Sequence, residues 1–389
     1  MKILMVNIPF SGHTNPTLVL ARELVSRGHE VSYILNNEWK DKIEETGAKF
    51  IPYINHNDYE LKFKNGHPTN VLNACKVWRY AYNTIISVGK EYDVIVYEFF
   101  TFTALAAAKK LGIKAVRQFS TFALNDNNIN SILVSENKEI NLLKNKFILK
   151  MLTKVVCGKI KICTHNILTE ISNSLVDYNI VYTSKEFQIN NEEFDNDRYC
   201  FVGPAIIKRK SDIKIPYDDM KNLIIYISLG TLQNENMTFY KKCIEAFRDS
   251  DFSVIMSIGK KIDIKELGEI PANFYVYNFV PQLEVLERSQ IFITHGGMNS
   301  VNEGLYYHNK CLVIPMDVDQ FAVANRVEEL KLGYKLLKDN ISCDILKKSV
   351  SKLLEDDYVS KSVEKISETL HNSGGVTKAA EYIEQNISL

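Results

Sequence analysis

Short, wholly apolar runs alternate along this chain with stretches of helical spacing, and the alternation occurs twice. Ile3 to Val6 is one such run. After a loop, Leu18, Leu20, Ala21, Leu24 and Val25 recur at helical intervals, with Asn15-Pro16 in the N-cap and first helical positions and Gly28 as the stop. His29 to Leu35 reads as a second strand, so the chain opens with a right-handed β-α-β unit and a parallel sheet. Asp93 to Tyr97 and Lys114 to Phe119 continue the pattern, flanking an alanine-rich helix from about Thr103 to Leu111. The alternation restarts after residue 220, with strands expected at Leu223 to Ser228, Ser253 to Ser257, Phe274 to Val280, Ile291 to Thr294 and Cys311 to Pro315. Strands that are apolar throughout, rather than at every second residue, are covered on both faces, as in parallel sheets flanked by helices.

Between the two runs lies GPAIIKRKSDIKIPYDDMKN, a polar stretch carrying Gly203, Pro204 and Pro216, which reads as a linker. A chain of 389 residues exceeds one ordinary core, so two domains of roughly 190 residues are the starting expectation. The division predicted is a first domain over 1–205, a linker over 206–221, a second domain over 222–375 and a C-terminal helix over 376–389 that packs back on the first domain. The fold class is therefore α/β, with two Rossmann-like, doubly wound parallel-sheet domains. In such sheets ligands bind outside the carboxyl ends of the strands, which predicts a cleft between the domains.

Composition narrows the class of function. Hydrophobic residues at 46% and charged residues at 24% suit a globular enzyme, and a formal net charge of zero gives no general attraction to nucleic acid. The seven cysteines, Cys75, Cys157, Cys163, Cys200, Cys243, Cys311 and Cys343, are scattered without CxxC spacing. They suggest neither a disulfide framework nor a zinc site, and a reducing cytoplasm is expected. The N-terminal MKILMVNIPF lacks a small-residue cleavage pattern and reads as a buried first strand rather than a signal peptide. No segment reaches the roughly 20 apolar residues needed to span a bilayer.

The most informative stretch is IFITHGGMNSVNEGLYY, from Ile291 to Tyr307. It reads as a strand ending at Thr294, a tight turn at His295-Gly296-Gly297 and a helix from Met298 onward. A helix N-terminus offers unpaired N–H groups and a positive dipole end, and Gly296 and Gly297 let an anion approach the main chain. His295, Asn299 and Ser300 add side-chain donors, and Glu303, about one helical turn beyond Asn299, can face a ribose diol. A nucleotide diphosphate is the first candidate ligand.

A second constellation lies after the first strand. His13 projects from a carboxyl-end loop and suits a general base, provided a carboxylate from another strand end holds its other nitrogen. Glu98 qualifies because it directly follows DVIVY, whereas Asp93 starts that strand and should sit at the opposite sheet edge, roughly 15 Å away at about 3.3 Å per residue. Position alone is equally met by a His13 that bonds only its loop and a solvated Glu98. In ISLGT, Ser228 and Thr231 can face the same phosphates or simply connect two elements. Asp319 and Gln320 offer an acceptor and an amide to sugar hydroxyls, although Asp319 also suits the cap of a helix starting near Phe321. Asp317 and Asp319 spell DVD, but a helix-terminus site already neutralises a diphosphate without a cation, so no metal is expected.

Taken together these residues resemble the UDP-dependent glycosyltransferases of the GT-B fold, and most nearly the bacterial macrolide-glycosyltransferase type. The likeness spans nearly the whole chain. SGHTNPTLVLARELVSRGHEVSY carries it at the N-terminus, FVGP and YISLGT at the centre, and VPQLEVLERSQIFITHGGMNSVNEGLYY with IPMDVDQFAVANRVEEL at the C-terminus. The resemblance implies that His13 is the catalytic base, that His295, Asn299, Ser300 and Thr231 bind the diphosphate, and that Glu303 holds the ribose. It places Val280 and Gln282 beside the uracil and Asp319 and Gln320 at the donor sugar, with a UDP-sugar as co-substrate and no metal. Two departures stand out. The resembled family usually has aspartate where this chain has Glu98, and HNKCLVIP replaces a glycine-proline entry to the strand, so His308 to Lys310 are expected to reshape a turn near the donor site.

Aromatic residues cluster in the first half, and Phe10, Trp78, Phe99 and Phe119 are the candidates for holding an apolar, hydroxylated acceptor; core packing accounts for many such residues equally well. Between Lys138 and His165 seven lysines face one acid, Glu139. This basic amphipathic segment suits peripheral contact with an anionic membrane and equally a solvated helix face. The implied activity is inverting transfer of a hexose, glucose first, from a UDP-sugar to a macrolide, phenolic or similar acceptor. Two other readings stay open: a lipid-acceptor transferase at the membrane surface, and a non-catalytic nucleotide-sugar-binding partner protein.

Overall fold

The computed structural model describes residues 1–54, 63–64, 67–68, 75–133, 145–207, 211–221, 223–230, 235–316 and 318–387. They form two compact units, Met1–Ala205 with Ser373–Leu389, and Ile206–Asn372.

The first unit contains strands β1 (Lys2–Val6), β2 (Glu30–Leu35), β3 (Lys49–Pro52), a two-stranded hairpin of β4 (Phe63–Lys64) and β5 (His67–Pro68), and then β6 (Val94–Glu98), β7 (Lys114–Phe119), β8 (Tyr178–Val181) and β9 (Tyr199–Phe201). Apart from the hairpin they make one sheet in the order β3-β2-β1-β6-β7-β8-β9, every pairing parallel. Growth runs outward in both directions from the β1–β6 pair, where Val6 lies opposite Tyr97. Ile3, Leu4 and Met5 of β1 and Val94, Ile95 and Val96 of β6 are fully buried, as the unbroken apolar runs require. The Thr103–Leu111 helix buries Ala104, Ala107 and Ala108 against this core, small side chains that let it lie close to the sheet.

The first helix departs from the sequence expectation. It opens at Ser11, not after Asn15, and runs to Ser26 with Pro16 inside it and no side-chain cap. Buried hydrogen bonds fix this earlier start: Asn7 Nδ2 donates to the His13 carbonyl at 3.0 Å and Thr14 Oγ1 to the Ile8 carbonyl at 3.0 Å. His13 therefore sits in the first helical turn. The Gly375–Asn386 helix packs on this helix. Glu384 accepts from Arg27 Nη1 at 3.0 Å and contacts His29 Nε2 at 2.9 Å, and the Gly375 amide donates to the Val202 carbonyl.

The second unit holds β10 (Leu223–Ser228), β11 (Phe252–Ser257), β12 (Phe274–Tyr277), β13 (Ile291–Thr294), β14 (Lys310–Val313) and β15 (Gly333–Lys335). Their order, β12-β11-β10-β13-β14-β15, is again wholly parallel and again reverses at one central pair, where Ser228 lies opposite Thr294. The two units thus repeat one doubly wound plan. Several boundaries differ from expectation, β14 among them, which runs Lys310–Val313 rather than Cys311 to Pro315. β12 ends at Tyr277 rather than Val280, because Asn278 turns away and donates to the Gly259 carbonyl at 2.6 Å. Part of the expected linker belongs to the second unit: Ile215 is buried with Ile224, Tyr226 and Phe292, Tyr217 and Met220 pack on that cluster, and Arg288 lies 4.4 Å over the Tyr217 ring.

Arg117 on β7 is 1% exposed and among the described residues its hydrogen bonds go to neutral acceptors: Nε to Asn179 Oδ1 at 2.9 Å, Nη1 to the Ile171 carbonyl at 3.0 Å and Nη2 to the Asn173 carbonyl at 2.9 Å. It ties the chain that enters β8 to the strand carrying the end of the site described below. Arg117→Ala orphans those acceptors and is expected to lower unfolding free energy by about 3 kcal/mol in denaturant titration, whereas a loss below about 1 kcal/mol would contradict this anchoring role.

Candidate active site

Both sheets present their functional groups where strand order reverses. In the first unit β1 and β6 are neighbours, so the helical turn after Val6 and the last residue of β6 come to one edge. His13 Nδ1 lies 2.7 Å from Glu98 Oε1. Glu98 has no exposed side-chain surface, while His13 keeps 27%. The carboxylate is enclosed by donors: Ser120 Oγ donates to Oε1 at 2.7 Å and the Phe100 amide to Oε2 at 2.9 Å. A buried carboxylate is stable only with such company. Its contact with Nδ1 selects the tautomer that carries the proton there and puts the imidazole lone pair on Nε2. Asp93 sits at the other sheet edge, where Oδ2 accepts from the Lys2 amide at 2.7 Å.

Ser120 is a member that sequence reasoning missed. It follows β7, which pairs beside β6 with Gln118 opposite Glu98, and its Oγ also lies 3.1 Å from His13 Nδ1. A hydroxyl directly after a strand neighbouring β6 was the available signal, readable only once strand order is known.

Aromatic side chains surround the imidazole. Phe10, Phe99 and Phe100 have ring centroids 5.9, 5.7 and 5.7 Å from that of His13. Trp78 meets Phe100 at 5.6 Å and is fixed by its Nε1–H to the Phe100 carbonyl at 2.6 Å, and Phe119 stacks on Phe99 at 5.4 Å. Phe10 and Trp78 are half-buried, whereas Phe99 and Phe119 are buried. The structure thus brings all four aromatic candidates into one assembly. Phe10 and Trp78 have surface to offer a ligand, and the other two support it from behind.

In the second unit the reversal at β10 and β13 brings Gly230 beside His295-Gly296-Gly297. Gly230 has φ +74° and Gly296 φ +90°, the left-handed region that glycine adopts without strain. Their space is also taken. A methyl group at Gly230 would lie 2.6 Å from His295 Cε1, and one at Gly297 would lie 2.7 Å from Nε2, so two glycines make room for this ring. Burial pushes the His295 imidazole down to about 4, which leaves it neutral near neutral pH and able to offer a hydrogen bond without a charge. The Met298–Tyr306 helix begins at Gly297 with no side-chain cap, so its first-turn amides keep their anion-binding character. Asn299 and Ser300 stand half-buried in that turn.

One turn on, Glu303 Oε2 accepts from Gln282 Nε2 at 2.6 Å, and Gln282 Oε1 accepts from the Tyr226 hydroxyl at 3.1 Å. The buried Tyr226 thereby orients an amide that orients a carboxylate. Val280 lies in the loop before Gln282 and packs on the Ile224–Tyr226–Phe292 cluster. Ser228 is buried at the end of β10, where its hydroxyl accepts from the Gly230 amide at 3.4 Å. Asp319 stands in the first turn of a helix that opens at Val318, three residues before the start expected near Phe321. Gln320 is buried, its Oε1 accepting from the Met316 amide at 2.9 Å, so its side chain braces its own loop. Thr231 and Asp317 lie outside the described residues. His308 to Lys310 are not near this turn: Lys310 pairs with Ile291, the first residue of β13, and so lies at the amino edge of the sheet. His308 there takes φ +62° to close the far end of the helix.

Residues 241–381 match the family described as Erythromycin biosynthesis protein CIII-like, C-terminal domain, and residues 10–117 match the Glycosyltransferase family 28 N-terminal domain. The chain is 34% identical to NDP-glycosyltransferase YjiC of Bacillus subtilis (strain 168), over 98% of this chain and 96% of that protein. It is 26% identical to the oleandomycin glycosyltransferase of Streptomyces antibioticus, over 99% and 90%. Among solved structures, the glycosyltransferase of kitacinnamycin superposes with a TM-score of 0.82 at 26% identity, covering 99% of this chain and 98% of the other.

The shifted histidine gives a test by pH. An unfolded imidazole takes its proton near 6.5 and His295 in the fold only near 4, so acid favours the unfolded chain. Stability is expected to fall as pH drops through that window, and the His295 Cε1 proton signal should titrate near 4. A midpoint at the ordinary value of about 6.5 would show that the ring is not desolvated as described.

Proposed function

Because the chain belongs to the macrolide-glycosyltransferase type of UDP-glycosyltransferase, with the GT-B fold, we propose that it moves a hexose, glucose first, from a UDP-sugar to a hydroxyl of a small apolar acceptor such as a macrolide or phenol. The observation that carries this reading is the 2.7 Å contact between His13 Nδ1 and Glu98 Oε1 among Phe10, Phe99 and Phe100. His13 Nε2 takes the proton of the acceptor hydroxyl, and Glu98 stabilises the imidazolium that forms. The acceptor oxygen attacks the anomeric carbon while the bond from that carbon to the β-phosphate oxygen breaks, and UDP leaves with the electron pair. One displacement inverts the anomeric centre. The burial of Glu98 under three donors supports this course, since it withholds the carboxylate from acting as a nucleophile.

The second unit supplies the donor site in this proposal. The amides at the start of the Met298–Tyr306 helix and the His295 imidazole receive the diphosphate, whose charge grows as the sugar departs. Glu303, set by Gln282, takes the ribose hydroxyls, and Val280 and Gln282 border the uracil. A fixed set of N–H donors stabilises the leaving group without a cation, so transfer is metal-independent. The seven cysteines are all unpaired, which suits a reducing cytoplasm.

Turnover by the His13→Ala variant with UDP-glucose and a phenolic acceptor, assayed with EDTA present, is expected to fall by roughly 10² to 10⁴ while UDP affinity stays nearly intact. In the same assay Ser120→Ala should lower kcat by about tenfold through a looser dyad. Full transfer by the His13 variant would remove the base from the mechanism, and abolition by EDTA in the wild type would refute metal independence.

A further inference from the structure

The Lys146–Cys157 helix of the first unit carries two apolar faces where one is enough to hold it. Leu149, Val156 and Cys157 are buried on the inner side, where the helix packs against the Val77–Val88 helix. On the outer side Phe147, Met151 and Val155 recur every fourth residue and are 71%, 52% and 43% exposed. That spacing aligns them in one stripe. A second stripe runs beside it: Lys146, Lys150 and Lys154, each one residue ahead of an apolar neighbour, are all exposed, and among the described residues none pairs with a carboxylate. From Asn145 to Thr169 the sequence has no acid and five lysines, although the chain as a whole has a formal net charge of zero. The helix is closed at both ends, by Asn145 accepting from the Phe147 and Ile148 amides and by Gly158 at φ +59°.

We propose that this outward face is a docking surface for an anionic lipid bilayer, with the helix lying flat at the headgroup boundary. The charge pattern selects that occupant. An apolar small molecule or an ordinary protein groove would match the Phe147–Met151–Val155 stripe but leave a full row of unpaired ammonium groups beside it. A bilayer with anionic headgroups satisfies both rows at once, apolar side chains entering the acyl boundary and lysines staying at the phosphates. Twelve residues give a contact about 18 Å long, suited to lying on a membrane. Among the described residues no helix is long and apolar enough to cross one.

The test uses the full chain with neither sugar donor nor acceptor, so its outcome is independent of the proposed catalysis. Sucrose-loaded vesicles of equimolar phosphatidylglycerol and phosphatidylcholine are expected to pellet the protein, and vesicles of phosphatidylcholine alone to leave it in solution. Binding should weaken steeply between 0.1 and 1 M salt, as the screening length falls from about 10 to about 3 Å. The triple variant K146Q/K150Q/K154Q should partition about 100-fold less well, from a roughly fivefold effect of each lysine. A second variant, F147S/M151S, keeps the charge and alters only exposed positions; it should bind less at every salt concentration, with circular dichroism unchanged. Absence of pelleting by the anionic vesicles, equal pelleting by the neutral ones, or full binding by the triple lysine variant would overturn the proposal.

Discussion

The chemistry of this chain depends on parallel pairing at two central strand pairs, β1 with β6 and β10 with β13. At each pair the strand order reverses, so the helices that follow the two strands leave on opposite faces and a gap opens at the carboxyl edge. Register decides what fills the gap. With Val6 opposite Tyr97, the turn carrying His13 meets Glu98; with Ser228 opposite Thr294, Gly230 meets His295. Slippage is opposed by packing, because a one-residue shift would send every side chain of Ile3–Val6 or Ile291–Thr294 to the opposite face of the sheet, against helices shaped for other side chains. The apolar runs that build the cores therefore also aim the functional groups.

Each gap is finished by a different kind of chemistry. In the first unit a buried carboxylate gathers three donors and in return sets an imidazole among aromatic rings. In the second, glycines clear space for a histidine that burial keeps neutral, beside an uncapped helix start. A base benefits from a carboxylate at its back. A diphosphate site benefits from neutral, preorganised dipoles that do not have to be desolvated anew when the anion arrives. The division of labour in the proposed transfer follows from these two environments.

Much of this was legible in the sequence, for a physical reason. Leu223–Ser228 and Ile291–Thr294 are central strands whose burial shows as nearly continuous apolar runs, and their bounds agree with the structure; Lys114–Phe119 also has the expected bounds, although it buries the polar Arg117 and Gln118. Lys49–Pro52, Tyr178–Val181, Tyr199–Phe201 and Gly333–Lys335 lie toward the sheet edges, are three or four residues long and owe their strand state to neighbours far away in sequence. Asn179 shows this well, a polar strand residue whose amide oxygen serves the buried Arg117. The early start of the first helix was hidden in the same way, since it rests on Asn7 and Thr14 reaching across the loop. At the site, Glu98 could be preferred to Asp93 by counting residues along one strand. Ser120 could not be found so, because its closeness to Glu98 comes from the β6–β7 pairing. The altered turn at His308 was misplaced because distance along the chain hid that a whole helix separates it from His295.

The pyrophosphate cradle proposed at the second reversal point would be seen in a crystal structure of the chain with uridine diphosphate. Phosphate oxygens are expected within hydrogen-bond reach of the Met298 and Asn299 amides and of the His295 ring, with the ribose at Glu303. Uridine diphosphate seated elsewhere on the molecule, or a diphosphate making no contact with the turn at His295–Gly297, would contradict it.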